Sequence, residues 1–159
     1  MNRARIWATL AFLGGAVSLS AQTATQNVTV EVTAISRISV SGAASLQINT
    51  AVAGSAPTQA THTSSSYSIT TNETNQKITG SLSSNVATGL TLQVSLAAPS
   101  GGTSAGYRPL STEAVNLVTG ITKLNESSRT ISFTLDATAA AGVVPSSTHI
   151  LTYTVTAGP

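Results

Sequence analysis

Apolar and polar side chains trade places at almost every step along much of this chain, and that strict period of two constrains its fold more than any other feature. Val28, Val30, Val32 and Ala34 alternate with Thr29, Glu31 and Thr33, and Leu90, Leu92, Val94 and Leu96 alternate with Thr91, Gln93 and Ser95. Successive side chains of an extended strand point to opposite faces, so this spacing gives each strand one apolar and one polar side. Helical spacing is hard to find after residue 21. The expected fold is therefore all-β, with one face of each strand turned into a core.

Further segments keep the pattern. Ile38 and Val40 continue the parity of the first valines, so residues 27–41 form either one long strand or, as we prefer, two strands divided by a bend where Ile35 breaks parity. Leu46-Gln47-Ile48 is followed by a polar loop from Pro57 to Ser66 and a strand from Tyr67 to Thr71. Asn72-Glu73-Thr74-Asn75 reads as a turn before Ile78, Gly80 and Leu82. Pro99-Ser100-Gly101-Gly102 must be loop. A weaker segment at Val115, Leu117, Val118 and Ile121 leads to a second turn at Asn125-Glu126-Ser127-Ser128, then strands at 131–135 and 151–155. Eight or nine short antiparallel strands with polar outer faces predict an Ig-like two-layer β-sandwich. Ala137 to Ala141 suits at most one helical turn.

The first twenty-one residues stand apart. Met1-Asn2-Arg3-Ala4-Arg5 is basic, residues 6–17 are an apolar run and Ser18-Leu19-Ser20-Ala21 is mostly small, the pattern of a secretory signal peptide. Its core is too short to span a bilayer. Residues 22–159 are then a single sandwich domain, exported to the periplasm, the cell surface or the medium. The formal charge of +2 and pI near 9.4 belong largely to this leader, because without Arg3 and Arg5 five basic and five acidic side chains remain. A neutral chain with no Lys/Arg cluster does not suit counterion-releasing nucleic-acid binding or a polybasic membrane contact. No second apolar run long enough for a transmembrane segment follows the leader.

Stability has to come from packing. Cysteine is absent, which removes disulfides, thiolate chemistry and Cys-based metal sites. About 140 residues bury enough surface for one core without staples. Ser and Thr supply a third of residues 22–159; Thr suits half-exposed strand faces and Ser suits turns. Near-zero net charge favours association, so a homo-oligomer or an assembly with other surface subunits is expected.

One internal correspondence recurs at an offset of 53 positions: Asn72 with Asn125, Ile78 with Ile131, Leu82 with Leu135, and Ala87-Thr88-Gly89-Leu90 with Ala140-Ala141-Gly142-Val143. It describes either a duplicated hairpin or two hairpins sharing good turn chemistry.

The titratable side chains after the leader offer little chemistry. The acids are Glu31, Glu73, Glu113, Glu126 and Asp136, and the histidines are His62 and His149. A Ser-His-Asp triad would need the sole Asp, and no Gly-x-Ser-x-Gly elbow exists. Asp136 and His149 flank the last hairpin, the one place where acid and base are expected near each other. No metal-binding spacing is present, and Gly101-Gly102 lacks the Lys-Ser/Thr of a phosphate loop. No catalytic residue, cofactor or metal is expected. Of the four aromatic residues after the leader, Phe133 and Tyr153 alternate in phase with apolar neighbours and read as core. Tyr107, between Gly106 and Pro109, reads as an exposed contact, with His62 in a second loop. Asn27, Asn72 and Asn125 open Asn-x-Ser/Thr triplets, read as turn and strand-edge residues.

The corner Ala141-Gly142-Val143-Val144-Pro145 followed by a Thr-rich final strand from Ile150 to Thr156 resembles the C-terminal hairpin of secreted bacterial β-sandwich proteins of the spore coat U and fimbrial-subunit type. The resemblance covers about 30 residues and implies an Ig-like sandwich exported to the surface and assembled with other subunits. The leading expectation is thus a non-enzymatic structural or surface protein assembling by strand addition. Val28, Val30, Val32 and Ala34 are the candidate assembly strand, and an ordinary first strand of the same domain is the simpler reading of those residues. The alternative function is an extracellular ligand-binding or adhesive module working through loops at Tyr107 and His62.

Overall fold

The computed structural model describes residues 21–158, so the leader, apart from Ala21, lies outside the described residues. The chain divides between Val32 and Thr33. In the first unit the described residues, 21–32, form no strand and are exposed throughout.

The second unit holds nine strands: β1 (Ser36–Ser41), β2 (Ala60–Thr71), β3 (Gln76–Leu82), β4 (Leu90–Leu96), β5 (Thr103–Ser104), β6 (Arg108–Pro109), β7 (Val115–Ile121), β8 (Leu124–Ala137) and β9 (Leu151–Ala157). They make a five-stranded sheet in the order β1-β2-β8-β4-β6 and a four-stranded sheet in the order β5-β7-β3-β9, with every pairing antiparallel. The fold is the all-β, two-layer sandwich that the alternation predicts. From β2 onward each successive strand joins the opposite sheet. Sequence neighbours therefore face each other across the core instead of pairing edge to edge.

The core lies between the sheets. Tyr67, Ile69, Ile78, Leu82, Val94, Leu96, Leu117, Val118, Ile121, Ile131 and Phe133 are buried and form one cluster, joined by Leu110. On β3 the alternation is complete: Gln76, Ile78, Gly80 and Leu82 are buried, and the residues between them are half-buried. Gly80 leaves room for Leu117, since a Cβ there would sit 2.8 Å from Leu117 Cδ1 and push that side chain aside.

Several local expectations are corrected. Residues 27–35 are in no strand, so neither the long strand nor the bent pair forms, and β1 begins only at Ser36. Residues 60–66, expected as loop, are the first half of β2. Ala60, Thr61 and His62 pair with Leu135, Thr134 and Phe133, so the neighbouring strand supplies the ladder that this polar sequence does not advertise. Asn125-Glu126-Ser127-Ser128 is not a turn but lies inside β8. There, Tyr67 pairs with Arg129 while Ile69 pairs with Glu126, a bulge that leaves Ser128 at φ +57°. The actual β7–β8 turn is at Thr122 and Lys123, with Lys123 at φ +42°.

The 53-residue correspondence accordingly joins unlike elements. Asn72 sits in a turn and Asn125 in a strand, while Leu90 opens β4 and Val143 is fully exposed outside any strand. The last hairpin is not one either, because β8 and β9 belong to different sheets. Ala139–Ala141 forms a short 3-10 turn, in keeping with the single helical turn expected. Leu46-Gln47-Ile48 forms no strand, although Leu46 packs against the core.

Candidate functional site

The four sheet edges differ in how they are protected. β5 and β6 are two residues each, and β6 ends on Pro109. Short edge strands, charges and proline are the usual guards against unwanted strand pairing. β1 has Arg37. β9 has none of these guards: its seven residues, Leu-Thr-Tyr-Thr-Val-Thr-Ala, contain no charge and no proline. It pairs with β3 residue for residue from Leu82–Leu151 to Gln76–Ala157 without a bulge. Among the described residues its other edge has no partner strand.

The same side of the sandwich is poorly covered. Leu151, Tyr153 and Val155 on β9 pack against the core yet are only half-buried, whereas their β3 neighbours Ile78 and Leu82 are 0% and 5% exposed. β1, which ends the other sheet, approaches β9 with no ladder between them. On β1, Ile38 is half-buried and Val40 is 52% exposed. A wall of the core is thus made by edge strands that no third strand covers.

The candidate assembly residues have the complementary character. Val28, Val30 and Val32 are 75%, 86% and 82% exposed, and Ala34 is exposed as well. Solitary exposed apolar residues are ordinary, but three valines in strict alternation on unpaired chain make a strand-shaped apolar face without a cover.

Tyr107 and His62 do not form one site. Tyr107 is exposed beside Arg108, which pairs with Val94. Val94 pairs with Phe133, and Phe133 with His62. His62 and the neighbour of Tyr107 therefore end the same rung three strands apart, about 14 Å at the usual spacing. His62 is moreover in β2, not in a loop. Its ring centroid lies 6.2 Å from that of Phe133 and its Nε2 is 3.0 Å from Ser65 Oγ. Tyr67, by contrast, is buried and donates to Ala97 O at 2.6 Å; loss of solvent around it pushes its hydroxyl pKa up to about 12.

Asp136 and His149 are engaged elsewhere. Gln59 Nε2 donates to Asp136 Oδ1 at 2.8 Å, while His149 lies 3.1 Å from Ser84 Oγ and 3.0 Å from Ser147 Oγ. The His149–Ser84 contact and the Ile150 N–H bond to Ser83 Oγ tie the residues just before β9 to those just after β3. A polar group that sequence reading missed lies at the β8 bulge. Ser100 N–H donates to Glu126 Oε1 at 2.8 Å, Arg129 lies 3.6 Å from the same carboxylate, and Arg129 Nη2 also donates to Ala98 O. Hydrogen bonds from Ser100, with the Arg129 cation adding, hold the Glu126 carboxyl below its ordinary pKa. The group pins the β4–β5 loop onto β8, a structural task that only the long-range pairing reveals.

Among the described residues no group of three His, Cys, Asp or Glu side chains is placed to hold a metal ion, and no helix is long and apolar enough to cross a membrane. Comparison with known proteins adds no relative: no family model matches the chain, and no curated protein or solved structure matches it significantly.

Proposed function

We propose that this protein is a non-enzymatic, exported structural subunit of a bacterial surface assembly, built by strand addition. Residues 28–34 of one copy pair with the free edge of β9 in the next. The supporting observation is that one chain carries both halves of such a joint: an unguarded edge strand and an unpaired segment with strand periodicity. Added strands gain affinity from main-chain hydrogen bonds and specificity from alternate side chains. β1 has to draw back from β9 to admit the strand, and with no ladder between them that movement breaks no strand pairing.

Donor and acceptor are different surfaces, so the contact is head-to-tail and propagates into an open chain unless the rotation closes a ring. The test compares the full chain with a variant carrying Val28→Ser, Val30→Ser and Val32→Ser by size exclusion with light scattering. Oligomers that collapse to monomer in the variant support the reading. Equal masses in both proteins refute it.

A second reading rests on Tyr107, an exposed aromatic beside the exposed cation Arg108. An extracellular module binding carbohydrate through this loop would give a glycan-array signal that falls on Tyr107→Ala. No such signal, or one indifferent to that substitution, removes it.

A further inference from the structure

The ladder between β1 and β2 does not stop where its main chain does. Its register sets Ser36 opposite Thr71, so the next antiparallel steps would oppose Ile35 to residue 72 and Thr33 to residue 74. At that point the second strand has already turned away through residues 72–75 toward β3. Asn72 continues the pattern with its side chain. Its main-chain N–H donates to Ile35 O at 3.1 Å, as a strand residue would. Its Oδ1 accepts from Ile35 N–H at 2.7 Å, in place of a carbonyl, and its Nδ2 donates to Thr33 O at 2.7 Å, in place of the residue 74 amide. One side-chain amide thus supplies two rungs that the backbone no longer offers. Beside it, Ser36 Oγ donates to Glu73 Oε2 at 2.7 Å and the Glu73 N–H donates to Thr71 Oγ1 at 3.1 Å, which fixes the turn that carries Asn72.

Direction gives this clamp its consequence. β1 runs from Ser36 beside Thr71 to Ser41 beside Ser66, and β9 runs from Leu151 beside Leu82 to Ala157 beside Gln76. Thr71 and Gln76 flank the same turn, so the start of β1 and the end of β9 share one end of the domain. For residues 28–32 to lie along β9 of their own copy, the chain would have to reverse direction within residues 33–35. Those residues are the ones that Asn72 holds in line with β1.

We infer that Asn72 is a positioning residue for assembly, its side-chain amide holding residues 33–35 in line with β1 so that the preceding segment is denied to its own β9 and left for that of a second copy. This inference rests on the strand-addition reading above. It adds the device that separates polymerisation from self-closure, two outcomes that bury the same valines and differ only in the path at the root.

The test uses the full chain, its Asn72→Ala and Asn72→Asp variants, and the triple Val→Ser variant as a control with no usable strand. Light scattering reads assembly, and limited proteolysis of isolated monomers reads whether residues 22–34 are protected. Loss of both side-chain rungs in Asn72→Ala is expected to lower the assembled fraction about tenfold and to yield monomers with a protease-resistant segment. Asn72→Asp keeps the acceptor for Ile35 and loses the donor to Thr33, so it should fall between the two and serves if the alanine variant does not fold. A purely structural role for Asn72 would lower the melting temperature without protecting the segment in monomers, and that result overturns the inference. Wild-type assembly by both folded Asn72 variants overturns it too, while leaving strand addition standing if the triple variant is monomeric. Equal assembly by the triple variant sinks both.

Discussion

Replacing Tyr153 by Phe should make this protein more stable, and the structure fixes that sign. Tyr153 lies on β9 with its ring against the core, and its hydroxyl oxygen is buried with no hydrogen-bond partner. Burial alone raises its pKa well above the ordinary tyrosine value. In the unfolded chain that hydroxyl is hydrated; on folding it gives up water and receives nothing in return. An unsatisfied buried donor costs about 1–3 kcal/mol, and Phe keeps the ring while removing the donor. For a domain of this size the gain corresponds to a rise in Tm of roughly 2–4 °C per kcal/mol. Tyr67→Phe is the matched control, because its hydroxyl donates to Ala97 O. Losing that bond should cost about 1 kcal/mol and lower the Tm. Thermal unfolding followed by circular dichroism, with urea midpoints as a second measure, gives both signs. A Tyr153→Phe protein that melts lower than wild type would show that the hydroxyl has a partner and refute the reasoning.

The same two hydroxyls set the alkaline limit. Their folded pKa values lie above the unfolded value near 10, Tyr67 at about 12 and Tyr153 higher still. Their linked contribution is therefore fully present below about pH 10 and is lost as pH climbs through the folded values. Urea midpoints should fall from about pH 10 upward, where the unfolded tyrosines ionise and the folded ones do not, and a midpoint flat to pH 12 would contradict it. Gly89 adopts φ +85°, and a Cβ there would meet the Ala141 backbone at 2.8 Å; Gly89→Ala should cost about 1–3 kcal/mol by urea unfolding, and a neutral result would mean that the corner is free to move. Leu96 is fully buried on β4, so Leu96→Ala should cost about 2–5 kcal/mol, with a smaller loss indicating that the core collapses around it.

How far the sequence could be read varied with how local the deciding interaction was. On β3 and β4 the apolar face is visible in the residues themselves, and Ile78, Leu82, Val94 and Leu96 are buried as the alternation requires. The polar first half of β2 has no such signature; it is a strand because β8 lies beside it. Asn125-Glu126-Ser127-Ser128 has good turn chemistry, yet the same residues fit a bulge when a partner continues past them on both sides. Val28, Val30 and Val32 look like an ordinary first strand from sequence, and only their exposure outside every strand sets them apart. The rungs made by Asn72 were not legible at all, since they join residues 37 and 39 positions apart.

The sequence by itself determined that this chain is all-β, which face of most strands is apolar, and that packing without disulfides must hold it. Those properties follow from side-chain period and composition, which are written residue by residue. Tertiary structure alone decided that successive strands alternate between sheets, that β8 and β9 do not pair, and that β9 has no ladder on its second edge among the described residues. The physical reason is that a strand's backbone bonds equally well to any neighbour of suitable register. Which neighbour it finds depends on how all the apolar faces are buried at once, a property of no single segment.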